Sequence, residues 1–150
     1  MHMTKILIGA GCFWGIEEYF RKIIGVIDTK VGYSGGHILN PSYEEVCTGS
    51  TEHAEVVQVK YDKNIINLKD ILEHFWLCHD STQLNRQGHD IGRQYRSVIF
   101  CFSEKEKLVA NESKKQKQFL FTNIITTDIL SAQEFYLAEE YHQLYIHKRN

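Results

Sequence analysis

A cysteine stands between small and aromatic residues in the run Gly11-Cys12-Phe13-Trp14-Gly15. The preceding run Lys5-Ile6-Leu7-Ile8 predicts a strand, and apolar residues at helical spacing follow, namely Ile16, Tyr19, Phe20, Ile23 and Ile24. We therefore expect Cys12 at a strand-to-helix turn, where unpaired backbone N–H groups and the positive end of the helix dipole favour a thiolate. Such a position would lower the pKa of the thiol from its usual ~8.5. We interpret Cys12 as a nucleophile and not as a small core residue.

A candidate acid lies at the head of a predicted strand that runs from His53 to Tyr61. With a period of two, Glu55 shares one face of that strand with apolar side chains. Its carboxyl group then lies either at the wet end of the strand or in a dry pocket. In a dry pocket its pKa would be raised, and it could donate a proton near neutrality.

Other groups could bind a metal or react. His74 and Cys78 have the i, i+4 spacing of two ligands on one helix face, with His79 adjacent, but no third and fourth ligand are visible. We favour ordinary helix-face histidines there and expect no metal and no organic cofactor. The four cysteines, Cys12, Cys47, Cys78 and Cys101, form no C-x-x-C pair. A core of this size needs no disulfides, so we expect a reducing cytoplasm.

Length and charge limit the class of protein. The 150 residues fit one domain, residues 1–150, and 43% of them are hydrophobic. The formal net charge of −2 mixes both signs along the chain, which disfavours binding to nucleic acid or to an anionic membrane. No apolar run approaches the ~20 residues of a membrane span. We expect a monomer.

The elements that must position these groups alternate between strands and helices. After the first helix, strands are predicted at 26–33, 53–61, 95–102 and 124–130, and helices at 67–78, from the Ser103–Glu106 capping box, and over the aromatic tail 135–147. Residues 37–53 form a long irregular stretch that contains the only proline, and loops of this length are often functional. This order predicts an α+β protein, a two-layer α/β plait (ferredoxin-like) with a mixed central sheet and a long active-site loop.

Taken together, these motifs resemble the A type of the peptide methionine sulfoxide reductases. The resemblance spans residues 5 to about 148 and rests on Gly11–Gly15, Gly32–Gly36, Tyr43–Glu55, Gly88–Ser97 and Tyr141–Tyr145. Three departures accompany it. Glu52 stands where the family usually has glycine, His89 where asparagine is common, and the sequence stops at Asn150 without a Gly-rich, cysteine-bearing tail.

The resemblance implies a role for each site residue. Cys12 would attack the sulfur of a methionine S-sulfoxide, free or in a protein, and become a sulfenic acid. Glu55 would donate the proton, Tyr43 and Tyr95 would hydrogen bond the sulfoxide oxygen, and Asp90 would contact that site, in part through water. Phe13 and Trp14 would form the apolar pocket for the methyl group of the substrate.

The resemblance also implies a thiol reductant, which could be thioredoxin, glutaredoxin or a small thiol. From the cysteines present we expect a one-cysteine cycle, with Cys47 kept open as an alternative that resolves the sulfenic acid. Two other functions remain open. One is a Cys-His acyl transferase that pairs Cys12 with His53 or His142. The other is a metal-binding or thiol-sensing module built on His74, Cys78 and His79.

Overall fold

A computed structural model describes residues 2–150; Met1, the first residue of the predicted domain, lies outside them. The eight strands within this range are β1 (Met3–Ala10), β2 (Val26–Ser34), β3 (Ala54–Asp62), β4 (Arg86–Gln87), β5 (Asp90–Ile91), β6 (Ser97–Cys101), β7 (Asp128–Ser131) and β8 (Tyr136–Leu137). The five α-helices are α1 (Phe13–Arg21), α2 (Tyr43–Cys47), α3 (Leu68–Leu77), α4 (Glu104–Gln118) and α5 (Tyr145–Arg149). None of these helices has the length and apolar character that crossing a membrane requires.

Six strands form one sheet in the order β7-β6-β1-β3-β2-β8. All neighbours are antiparallel except β6 and β7, which makes the sheet mixed. The central order β6-β1-β3-β2, with α1 and α3 as connections, is that of a ferredoxin-like plait. The predicted fold class is therefore confirmed.

The alternation of side chains along β1 divides the core between the two faces of the sheet. Ile6 and Ile8 point to the helix layer and pack with residues of α1 and α3 such as Phe20 and Phe75. Leu7 points to the opposite face, where it belongs to a smaller cluster covered by Ala132 and Phe135. The first cluster anchors the helix that begins next to Cys12.

The sequence predictions were wrong at four places, and one of them is the strand predicted at 124–130, which begins only at Asp128. The stretch 37–53 contains the helix α2, which begins with a capping box between Ser42 and Glu45. The strand predicted from Tyr95 begins at Ser97, because Arg93–Tyr95 form a 3₁₀ turn. The tail predicted as one helix is instead β8, a 3₁₀ turn at Glu140–His142, and α5.

Candidate active site

Cys12 occupies the N-cap of α1, between the end of β1 and the first helical turn. Gly11 makes the turn with φ +101, a conformation that favours glycine, and a Cβ there would lie 2.9 Å from Cγ of Gln87. No side-chain hydrogen bond caps the helix at Cys12, but the backbone N–H groups of Trp14 and Gly15 lie close enough to its thiol to lower the pKa. The predicted strand-to-helix placement of Cys12 is confirmed.

The expected lowering of the Cys12 pKa was wrong. The nearby N–H groups of Trp14 and Gly15 do lower it, but burial of the thiol, and then the charges of Glu55 and Asp90, outweigh them and raise the pKa to about 11. The free protein therefore holds Cys12 as a thiol at neutral pH. The sequence revealed the helix start but not the carboxyl groups around it.

Glu55 lies in the dry pocket and not at the wet end of its strand, since its exposed fraction is 1%. Its Oε1 accepts a hydrogen bond of 3.2 Å from the backbone N–H of Phe13. Its Oε2 is buried and has no hydrogen-bond partner among residues 2–150. Burial raises the pKa of Glu55 to about 8, so the group is protonated at neutral pH.

Two loops bring the other polar candidates to the same place. Tyr43 begins α2, Tyr95 ends the 3₁₀ turn after β5, and Asp90 begins β5 on the exposed hairpin. Burial, and then the charges of Glu55 and Asp90, raise the pKa of Tyr95 to about 12. Burial, then the neighbouring Cys47 side chain and the charge of Glu55, raise the pKa of Tyr43 as well. Tyr43, Tyr95 and Asp90 thus lie within electrostatic reach of Glu55.

Phe13 and Trp14 supply an aromatic wall on the other side of the turn. Phe13 is buried, with its ring centroid 5.8 Å from that of Tyr33 and 5.2 Å from that of His142. Trp14 is half-buried and stacks on Tyr145 at 3.7 Å with an interplanar angle of 5°.

The sequence reasoning missed the part of the site that the tail contributes. Glu139 accepts hydrogen bonds from the hydroxyl of Tyr33 at 2.8 Å and from the backbone N–H of Tyr43 at 2.9 Å, and so ties α2 to β2. Glu17 is buried in α1 and accepts from Thr29 and from the backbone N–H of Leu144. The aromatic run at 135–147 could have indicated this contribution. The prediction of one helix there, however, distributed its side chains around the helix axis and directed no particular set of them to the site.

The groups invoked by the alternative functions are engaged elsewhere. His53 accepts a hydrogen bond from the N–H of Gly36 at its Nδ1, and its Nε2 donates to the carbonyl of Ile38. The thiol of Cys78 donates to the carbonyl of Phe75, and His74 bonds to the hydroxyl of Tyr19. Across residues 2–150, no three His, Cys, Asp or Glu side chains form a group that could hold a metal.

The three cysteines other than Cys12 differ in their distance from the site. Cys101 is buried at the far end of β6, because the neighbour of Ala10 in that strand is Ser97. Cys78 caps α3, within a partly buried environment. Cys47 is exposed at the end of α2, the helix that begins with Tyr43. Burial, and to a lesser extent the charge of Glu55, raises the pKa of its thiol, so Cys47 lies within electrostatic reach of the site.

A thiol at a helix N-terminus beside a buried, protonated carboxyl group suits an enzyme that attacks with sulfur and delivers a proton. Comparison with known proteins identifies the family of enzymes to which this chain belongs. The chain belongs to the peptide methionine sulfoxide reductase family, whose profile matches residues 4–150.

Individual relatives agree with this assignment. The peptide methionine sulfoxide reductase MsrA of Methanothermobacter thermautotrophicus is 53% identical over 146 residues, which are 96% of this chain and 86% of the relative. The reduced form of Mxr1 from Saccharomyces cerevisiae superposes with a TM-score of 0.94 at 39% identity, covering 98% of this chain and 86% of that one. Mxr1 in complex with Trx2 matches with a TM-score of 0.66 at 26% identity, covering 96% and 85%.

Proposed function

We propose that this protein reduces methionine S-sulfoxide, free or within proteins, to methionine and so repairs oxidised proteins. The family supports the reaction, and the observation that carries it here is the unpaired, buried Oε2 of Glu55 beside the Cys12 turn. A carboxyl oxygen left without a partner in a dry pocket costs about 1–3 kcal/mol. A substrate oxygen that accepts its proton would remove that cost.

In this mechanism Cys12 is the nucleophile and Glu55 the acid. The Cys12 sulfur bonds to the sulfur of the sulfoxide, whose oxygen is protonated. The resulting hydroxyl group then moves to the Cys12 sulfur as the S–O bond and the bond between the two sulfurs break, which releases methionine and leaves Cys12 as a sulfenic acid. The substrate sulfur is reduced by two electrons and Cys12 is oxidised by two. Glu55 gives the oxygen a proton, and the proton lost by the Cys12 thiol balances it. A pKa of about 8 keeps Glu55 protonated at neutral pH, so it can donate the proton in this step.

The remaining site residues bind and orient the substrate. Tyr43 and Tyr95 hydrogen bond the sulfoxide oxygen as neutral phenols, which the raised pKa of each hydroxyl favours. Asp90 contacts the same oxygen from the β4–β5 hairpin, in part through water. Phe13 and Trp14 enclose the methyl group of the substrate.

A thiol reductant then restores Cys12. Two thiols convert the sulfenic acid to the free thiol, one disulfide and one water molecule. We propose thioredoxin as a reductant, for which the Mxr1–Trx2 complex is the support, with glutaredoxin or a small thiol able to replace it. Residues 1–150 would act as one catalytic domain, a monomer in the cytoplasm, and the family profile over residues 4–150 supports the single domain.

The acyl transferase and metal alternatives find less support. Both ring nitrogens of His53 are used within the loop 36–53, and His142 bonds to Trp14. His74 bonds to the hydroxyl of Tyr19, whereas Cys78 and His79 both bond to the carbonyl of Phe75 and His79 also bonds to Ser97.

One assay separates the three functions. The protein is incubated with racemic methionine sulfoxide and dithiothreitol, and methionine is followed over time. Because one epimer is the substrate, methionine should reach about half of the racemate and then stop. Complete conversion would contradict the epimer assignment. No methionine, together with a thioester from an activated acyl substrate, would favour the transferase.

A further inference from the structure

His142 is a fully buried histidine next to the proposed substrate pocket, with an exposed fraction of 0%. Its Nδ1 lies 2.9 Å from Nε1 of Trp14. An indole nitrogen is a donor only, so Nδ1 must be the acceptor and the ring proton must lie on Nε2. The bond to Trp14 thus selects the neutral Nε2–H form of the imidazole.

The Nε2–H group has no hydrogen-bond partner among residues 2–150. A buried donor without a partner costs about 1–3 kcal/mol, and an apolar side chain of similar shape would avoid that cost. Packing alone therefore does not account for a histidine here. What the imidazole offers that an apolar residue cannot is the acceptor for Trp14.

The imidazole is held rigidly on both sides. Its ring packs against those of Phe13, Tyr43 and Tyr141, with centroid distances of 5.2, 4.5 and 4.1 Å. The next residue, Gln143, bonds to both the N–H and the carbonyl of Val31. The acceptor is thus fixed relative to the central sheet.

Trp14 is constrained from two directions as a result. Tyr145 stacks on one face of the indole at 3.7 Å, and Arg149 lies 3.4 Å over Tyr145 on its far side. Stacking alone lets a ring slide and rotate in its plane, whereas the bond from Nε1 to His142 fixes that rotation.

We propose that neutral His142 is a positioning residue that orients the Trp14 indole and so sets the shape of the pocket for the sulfoxide's methyl group. This role rests on the proposed reductase function. Protonated imidazole has no acceptor, so acid would release the indole from its fixed orientation.

The surroundings of His142 keep it neutral at physiological pH. Burial lowers its pKa, and this outweighs the charges of Glu139 on its own segment and of Glu44 on α2, which raise it. The titratable phenols that face it are Tyr43 and Tyr141, both with raised pKa, while α1 presents only the aromatic rings of Phe13 and Trp14. Release of Trp14 is therefore expected below the ordinary pKa of histidine.

The test compares two variants, His142→Leu and His142→Asn. Asparagine has the branched shape of leucine, but its side-chain oxygen lies near the position of Nδ1 and can accept the hydrogen bond from Trp14. Loss of the neutral hydrogen bond should raise KM for methionine sulfoxide about 3- to 10-fold in the leucine variant, with a smaller change in kcat. The asparagine variant should recover most of the wild-type KM. Equal KM values in wild type and leucine variant would overturn the proposal.

Trp14 emission gives a second readout that is independent of turnover. In a Trp76→Phe background Trp14 is the sole tryptophan. Its emission should change as pH falls below about 6.5, and this transition should be absent in both His142 variants. A transition that persists in the asparagine variant would contradict the proposal, and this readout decides the matter if the leucine variant does not fold. Absence of wild-type reductase activity would instead refute the proposed function and leave the emission test standing.

Discussion

The backbone N–H of Phe13, the residue after Cys12, donates a hydrogen bond of 3.2 Å to Oε1 of Glu55. This single bond joins the turn that carries the thiol to the head of β3, which carries the carboxyl group. It occupies one carboxyl oxygen and leaves Oε2 buried and unpaired. The bond thus fixes the Glu55 carboxyl group relative to the backbone of the turn that carries Cys12.

Replacing Glu55 by glutamine should separate proton donation from substrate binding. We expect the chemical step to slow by roughly 10²–10⁴-fold, the usual worth of a positioned general acid, with KM changed far less. The wild-type kcat/KM should rise with pH only up to about 8, because above that pH the loss of the acid form of Glu55 offsets the gain of Cys12 thiolate, whose pKa is about 11. That break in the profile should be missing in the variant. A variant with intact kcat and a raised KM would make Glu55 a structural residue.

The same substitution should stabilise the fold in alkaline solution. The pKa of Glu55 is raised from 4.5 to about 8, so the folded state binds more protons than the unfolded state between these values. The free energy of unfolding of the wild type should therefore fall, relative to Glu55→Gln, as pH rises from about 5 to about 8. Urea titrations at three pH values measure this. A constant difference between the two proteins would mean that Glu55 ionises normally.

Tyr43→Phe and Tyr95→Phe should each reduce kcat/KM by less than Glu55→Gln does, because either hydroxyl partly replaces the other at the sulfoxide oxygen. The double variant should lose more than the product of the two single effects. Strictly multiplicative losses would show that the two phenols act independently. The loss of Tyr43 also frees the Cys47 side chain, so Cys47→Ser serves as the matched control.

Glu52 combines a backbone strain with an ion pair to Arg93 and a contact to His37 that is an ion pair only when the imidazole is protonated, and the strain opposes these contacts. It adopts φ +64 and lies 3.0 Å from both Nδ1 of His37 and Nη2 of Arg93, linking the loop 37–53 to the turn that carries Tyr95. A left-handed non-glycine residue costs about 1–2 kcal/mol, whereas exposed ion pairs contribute about 0–1 kcal/mol each.

Glu52→Gly should therefore leave the free energy of unfolding unchanged or slightly higher, while Glu52→Ala keeps the strain and loses the pairs. The alanine variant should be less stable than the glycine variant by about 1 kcal/mol. Thermal or urea unfolding of the three proteins checks this. A glycine variant less stable than the alanine variant would mean that the ion pairs dominate.

Local patterns in the sequence were sufficient for the four central strands of the sheet and for the placement of Cys12. Period-two apolar runs predicted β2 and β3 closely, and the caps at Asn67 and Ser103 located α3 and α4. The pKa of Cys12 was not predictable in this way, because it depends first on how far the folded chain buries the thiol and then on the carboxyl groups of Glu55 and Asp90, which lie far along the chain. The prediction of the tail at 135–147 failed for a related reason. Its aromatic residues contact α1 and α2 individually, and such contacts impose no regular period.

The central claim is that Cys12 takes the oxygen from the sulfoxide, and a single turnover without reductant tests it most directly. Reduced protein is mixed with excess methionine sulfoxide, methionine is quantified, and free thiols are counted under denaturing conditions. A sulfenic-acid trap followed by mass spectrometry then locates the oxidised cysteine. We expect one methionine per chain, one thiol lost and the trap on Cys12, with no methionine from Cys12→Ser. Loss of two thiols that reverts to one in Cys47→Ser would replace the one-cysteine cycle with resolution by Cys47. Methionine formed by Cys12→Ser, or the trap on another cysteine, would contradict the mechanism itself.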